Sequence, residues 1–192
     1  MPVIYLALVL AAALLAGCAG SPAARHYTLS ADATESHRIA ADQRKIEIVA
    51  VRIPETWDRP QIVMTKSSAE VALSEFHRWA APLRYEAPRI VTSNLARILD
   101  SKTLWLRRDF VGMQADLRVQ VAIDQIDAAQ GAGFQLQAAW QIRSENGVVK
   151  SGRTVIAEPL AAATHEAVVA AAGRALLTLS IAIAKDIQTI PQ

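Results

Sequence analysis

The chain has 192 residues, 20 lysines and arginines against 18 acids, 52% apolar residues and one cysteine. So even a charge balance builds no basic field of the size that nucleic acid recognition needs. One cysteine excludes an internal disulfide, so the fold must be held by its apolar core.

In chain order, the first element is an apolar run from Val3 to Ala16 with no charged residue, followed by "LAGCAG". At about 1.5 Å per residue it spans roughly 21 Å, short of the ~30 Å of a hydrocarbon core, which is signal-peptide length. Only the terminal amine supplies charge ahead of it. Small residues end at Cys18, and a cut that leaves cysteine at the new N-terminus resembles a bacterial lipobox. That resemblance implies a thioether from the Cys18 sulfur to diacylglycerol and an N-acyl chain on the freed amine. Each buried methylene contributes about 0.8 kcal/mol, so three chains make dissociation negligible. Ala19, where enterobacterial sorting rules would read Asp as inner-membrane retention, implies the outer membrane. The reading is a signal peptide over 1–17, a lipidated tether over 18–25 and one domain over 26–192. About 175 mature residues are one ordinary domain.

"RHYTLS" reads as a short first strand, and Ala31 to Gln43, polar and turn-rich, as a mobile loop. "KIEIVAVRIP" carries β-branched residues on both parities, as a strand buried on two sides does, and Pro54 ends it. "QIVMTK" is a short strand, with Pro60 ahead of it where a missing N–H is tolerated. "EVALSEFHRWAAPL" reads as a strand as far as Phe76; the start of a helix is the alternative. Val91, Leu95, Ile98 and Leu99 form one helical stripe over Arg89 to Leu99. Pro88 fits the first helical position, where its absent donor costs little.

Leu117, Val119, Val121 and Ile123 alternate with Asp116, Arg118 and Gln120, the period of a half-buried strand. Ile126 breaks the parity, which predicts a bulge or strand end near Gln125. After the "QGAG" turn, Phe134, Leu136, Ala138, Trp140 and Ile142 point inward and Gln135, Gln137, Gln141 and Arg143 outward. Asn146-Gly147 is a hairpin signal because both residues accept positive φ. The partner strand covers about Val148 to Ile156, giving three consecutive antiparallel strands. A long helix follows from an N-cap at about Thr164 to Ile187. It is apolar nearly all round, so it needs cover on two sides. The sheet supplies one; the first helix or a neighbouring subunit supplies the other.

Candidates for chemistry are weak. His26, His37, His77 and His165 lack the spacing of a zinc site. Ser74, Glu75 and His77 are adjacent in sequence but sit in no G-x-S-x-G elbow, and polar residues on a solvated strand are the simpler reading. Asp124 and Asp127 read as a solvated turn, and Gly131 and Gly133 as a turn without the rest of a dinucleotide fingerprint. Arg107-Arg108 reads as an ordinary exposed pair, with acidic lipid headgroups as the alternative partner. No cofactor and no metal are expected beyond the acyl groups on Cys18, and no enzymatic activity. A hydrolase using Ser74 or His77 is the competing class.

Two linked segments carry a family resemblance. The first is "PETWDRPQIV", with Pro54, Trp57, Asp58, Arg59, Pro60, Gln61, Ile62 and Val63. The second is "EFHRWAAPL", with Glu75, Phe76, Arg78, Trp79, Ala80, Pro82 and Leu83. Together with the lipobox and the later sheet around Trp140, they resemble the ABC-type transport auxiliary lipoproteins, the PqiC-like family. The chain departs from the family at Pro88, which should delay or kink a helix that normally starts soon after "P-L". The resemblance implies a non-enzymatic accessory subunit at the periplasmic face of the outer membrane. Its partner would be an MCE-domain conduit protein of an inner-membrane transport complex moving lipids or other hydrophobic molecules. A lipopolysaccharide-assembly or general envelope-integrity lipoprotein is the alternative.

The fold expected is α+β: a mainly antiparallel β-sheet with two helices packed on one face. Trp57 either caps the sheet, with Asp58 and Arg59 closing the turn, or joins Asp58, Arg59 and Gln61 in a partner contact, where Trp and Arg commonly act as anchors. Arg78 and Trp79 carry the same two readings. Self-association through the C-terminal helix is also expected.

Overall fold

The computed structural model describes residues 22–191; Cys18 and the segment read as a signal peptide lie outside them. Eight strands form one sheet: β1 (Arg25–Tyr27), β2 (Ile46–Arg52), β3 (Gln61–Thr65), β4 (Val71–Trp79), β5 (Leu104–Leu106), β6 (Leu117–Ala129), β7 (Gly133–Ser144) and β8 (Gly147–Glu158). Two α-helices, α1 (Leu83–Ile98) and α2 (His165–Thr189), pack on it.

The antiparallel meander β6-β7-β8 forms as its alternation predicts, and Phe134, Leu136, Ala138, Trp140 and Ile142 are all buried. The bulge falls between Ile123 and Gln125, where Ile126 breaks the pattern. The hairpin also forms, but its turn residues are Glu145 and Asn146: Ser144 pairs with Gly147, and Gly147 alone takes a positive φ, of 117°.

The sheet is mixed, not mainly antiparallel. β1 runs parallel to β4, β2 to both β5 and β6, and β3 to β6. The reason lies in β6. Its one edge is filled by β7, so β2 and β3 share the other, β2 against Leu117 to Ala122 and β3 at Ala129. The chain leaves the sheet after Arg52 and rejoins it, still running the same way, at Gln61. The loop quoted above fills this break, at the level of the β6 bulge.

Helix α1 starts at Leu83, five residues before the expected first position at Pro88, which lies inside it. Pro88 forfeits one i→i−4 bond. Burial of Leu83 and Ala87, at 4% and 1% exposure, outweighs that loss. The departure from the family at Pro88 is therefore not present. Strand β4 likewise continues past Phe76 to Trp79. The segment 31–43 is not a free loop. Ala33 N–H donates to the buried Asn94 side chain (3.2 Å), and Ile39 and Asp42 N–H donate to the carbonyls of Ile98 and Leu99 at the end of α1.

Thr164 caps α2, its hydroxyl accepting from Ala167 N–H at 3.2 Å. The helix is long and apolar enough to cross a membrane by composition alone. Its residues Ala171, Ala175, Leu179, Ile183 and Ile187 are nevertheless fully buried, between β7 and β8 on one side and α1 on the other. Its second cover is the first helix, so this apolar face no longer argues for a neighbouring subunit. The opposite sheet face carries exposed Gln120, Gln135 and Gln141 and, among the described residues, no helix.

Candidate functional site

The residues from the two linked segments meet at one corner, where the loop between β2 and β3, the end of β4 and the start of α1 converge. Turn bonds within the loop run from Trp57 and Asp58 N–H to the Pro54 carbonyl, at 2.9 and 3.0 Å. Trp79 N–H donates to the Pro60 carbonyl at 2.7 Å, and Gln61 pairs with Arg78 across β3 and β4. Trp57 turns inward. It is 2% exposed and meets Phe134 edge-on, ring centroids 5.9 Å apart at 85°. Trp79, at 5%, joins the same apolar seam with Leu83, Ala87 and Leu136. Both tryptophans are core residues: Trp57 plugs the break in the sheet.

The backbone N–H groups of Asp58 and Arg59 close the turn, onto the carbonyls of Pro54 (3.0 Å) and Trp57 (2.9 Å), and the Asp58 side chain reaches further. Its Oδ1 accepts the backbone N–H of Arg84 (3.1 Å) and its Oδ2 meets the Arg84 guanidinium (3.0 Å). Pro82, in the N-cap position, offers no side-chain cap, so Asp58 caps α1 from the loop. The cap explains how the helix starts so early. A carboxylate there also faces the positive end of the helix dipole. Replacing Asp58 with alanine should cost about 1 kcal/mol. Urea unfolding would show it as a lower midpoint, and exchange of the Arg84 amide should quicken.

The Arg59 side chain, half-buried, donates to no described residue, and its Nε is buried without a partner. The Trp79 indole Nε1 is buried without one as well. A surface pocket lies between Asp58, Arg59, Pro60, Trp79, Pro82 and Arg84. Arg78 donates its Nε–H to the Glu75 carbonyl at 3.1 Å. The corner therefore splits the six candidates. Trp57 and Trp79 build it, Asp58 starts a helix, Gln61 and Arg78 pair strands, and Arg59 is left free to act on something else.

A second polar cluster joins β1, β4 and α2. The His77 and His165 rings stack with centroids 3.9 Å apart. Tyr27 O–H lies 2.7 Å from both His77 Nδ1 and Glu166 Oε1, and Arg25 pairs with Glu166 at 2.9 Å. Ser74 makes no hydrogen bond to His77, so the residues adjacent in sequence form no triad. Burial, then the neighbouring His77, lowers the pKa of His165. The bond from Tyr27 holds Glu166 down to about 2. Both folded-state values lie below the unfolded ones, so both groups stabilise the fold at neutral pH and lose that effect as pH falls. For His165 the loss begins below about 6.5. Thermal unfolding should therefore weaken from pH 7.5 to pH 5, with a smaller drop in His165→Phe.

The family of ABC-type transport auxiliary lipoprotein components matches residues 27–184. The chain belongs to this family. Two crystal structures are similar to this auxiliary lipoprotein in fold. The protein XCC0632 from Xanthomonas campestris is 15% identical, with a TM-score of 0.71, over 86% of this chain and 100% of its own. A second, of an uncharacterized protein, is also 15% identical, with a TM-score of 0.67, over 86% of this chain and 99% of its own. Identities this low show a shared fold and nothing finer. No curated protein matches the chain.

Family membership makes the protein an auxiliary component of a transport system and a lipoprotein of the cell envelope. Sequence reading missed Arg84 and Tyr85. Arg84 lies over the Tyr85 ring at 4.9 Å, and Arg108 lies over the same ring at 5.4 Å. Only the "P-L" that precedes them marked the place. The Tyr27, His77, His165 and Glu166 cluster has no signal in sequence at all, because its members come from three distant elements.

Proposed function

We propose that the protein is a non-enzymatic accessory subunit of an MCE-type system that moves lipids or other hydrophobic molecules between membranes. The acyl groups on Cys18 hold it to the periplasmic face of the outer membrane. There it docks the distal end of the partner's conduit. The family match carries this reading: a transport auxiliary component needs a transporter to assist. The corner supports it. Arg59 presents an unpaired cation beside Arg84, and donors left unsatisfied in a monomer are what a partner's carbonyl or carboxylate oxygens would complete.

Co-purification tests it. The lipidated protein, extracted from envelopes in mild detergent with an affinity tag, should bring down an MCE-domain protein. Recovery of a β-barrel assembly protein in its place would favour the lipopolysaccharide-assembly or envelope-integrity reading. Recovery of neither from lipidated material would count against docking.

A further inference from the structure

The loop between β5 and β6 presents an apolar tip. Phe110 is 55% exposed, Val111 86% and Met113 47%, and Tyr85, 47% exposed, joins them through Arg108. The root of this loop is fixed. Arg107 N–H donates to the Ile48 carbonyl at 3.0 Å, and its guanidinium forks onto Glu47 at 3.0 and 2.9 Å. At the other end, Asp116 and Leu117 N–H donate to the Lys45 carbonyl, and Ala115 is buried. Between these pins Gly112 takes a φ of 86°, which turns the tip back. A firmly held base with three large apolar side chains at the apex is not a loop collapsed on the core.

We propose that this tip inserts into the interfacial region of the bilayer to which the chain is anchored. Four exposed side chains offer on the order of 400 Å² of surface, against about 800 Å² per partner in a stable protein interface. A fluid bilayer needs no such matching area, and a protruding Phe-Val-Met apex with Tyr at its flank suits the acyl–headgroup boundary. Arg84 and Arg108, both over the Tyr85 ring, stand where headgroup phosphates would lie. Each keeps an acidic neighbour, Asp58 at 3.0 Å and Asp109 at 3.5 Å, so the apolar apex and not net charge drives insertion. The tether permits the pose. β2 and β3 share one edge of β6, so β1, which carries the tether, and β5, which carries the loop, lie on the same side of it, three and two strands out. The seven steps from Cys18 to Arg25 reach on the order of 24 Å when extended. Anchor and loop can touch one plane.

The inference rests on acylation of Cys18, and the test separates the two. The full lipidated chain carrying Val111→Cys is labelled with the polarity-sensitive dye NBD and reconstituted into vesicles of phosphatidylethanolamine and phosphatidylglycerol. Asn146→Cys, in the β7–β8 turn, is the control. Flotation of the unlabelled protein reports the anchor. The expected result is flotation, with a several-fold rise in emission at position 111, loss of iodide quenching and strong quenching by nitroxide-labelled lipids, and none of these at 146. Flotation with a dye at 111 as wet as that at 146 overturns the insertion alone. A dye at 111 shielded from iodide yet untouched by nitroxide lipids also overturns it, and points to a protein occupant. Failure to float removes the anchor and the insertion together.

Discussion

Replacing Trp57 with alanine should destabilise the domain by about 3–5 kcal/mol, the range for emptying a buried aromatic site. The ring is nearly fully buried and lies edge-on to Phe134 in the gap where β2 leaves β6 and β3 rejoins it. Neighbours cannot close that gap easily, because Leu83 and Ala87 are already fixed by the start of α1. At about 2–4 °C per kcal/mol for a domain of this size, the melting temperature should fall by roughly 6–20 °C. Arg59→Ala provides the contrast. Its guanidinium holds nothing among the described residues, so stability should barely move while capture of the partner is lost. A Trp57→Ala protein as stable as the parent would show that the loop does not plug the sheet.

Gly152→Ala should cost on the order of 3 kcal/mol, the sum of an overpacked site and a severed charged hydrogen bond. Gly152 pairs with Trp140 across β7 and β8, and a Cβ there would overlap the Trp140 ring. The ring has little freedom to give way, because its Nε1–H donates to Asp186 on α2 at 2.9 Å. Lys150 lies 3.6 Å from the same carboxylate. Displacing Trp140 therefore breaks the tie between the meander and the last turns of α2. Unfolding in urea would give the loss, and hydrogen exchange should rise first around Asp186 and Ile187. Unaltered exchange there would contradict the account of this contact.

What sequence reveals and what it hides divide along a physical line. The strands β6, β7 and β8 alternate in polarity because one face of each is wet, and Ile126 betrays the bulge by switching face. Helix α2 is legible from its period and its Thr164 cap. Parallel pairing leaves no such mark: nothing local tells that β2 and β3 line one edge of β6, or that three residues at Leu104–Leu106 form a strand. The start of α1 was hidden because its cap, Asp58, lies 26 residues away from the amide it satisfies. At the corner, residue types drew six candidates together, yet type alone could not sort Trp57 and Trp79 as core from Arg59, whose side chain has no partner among the described residues. Only burial does that. Tyr85, Phe110, Val111 and Met113 were invisible as a patch because apolar letters in sequence read first as core.

The most direct test of the central claim, that this corner docks a transport partner at the membrane, is a photo-crosslink at position 59. A photoreactive amino acid placed at Arg59 in the lipidated protein, and at Asn146 as control, is irradiated in intact cells. The account predicts an adduct from 59 that contains an MCE-domain protein, with none from 146. An adduct from 59 to a β-barrel protein, or equal adducts from both positions, would contradict it.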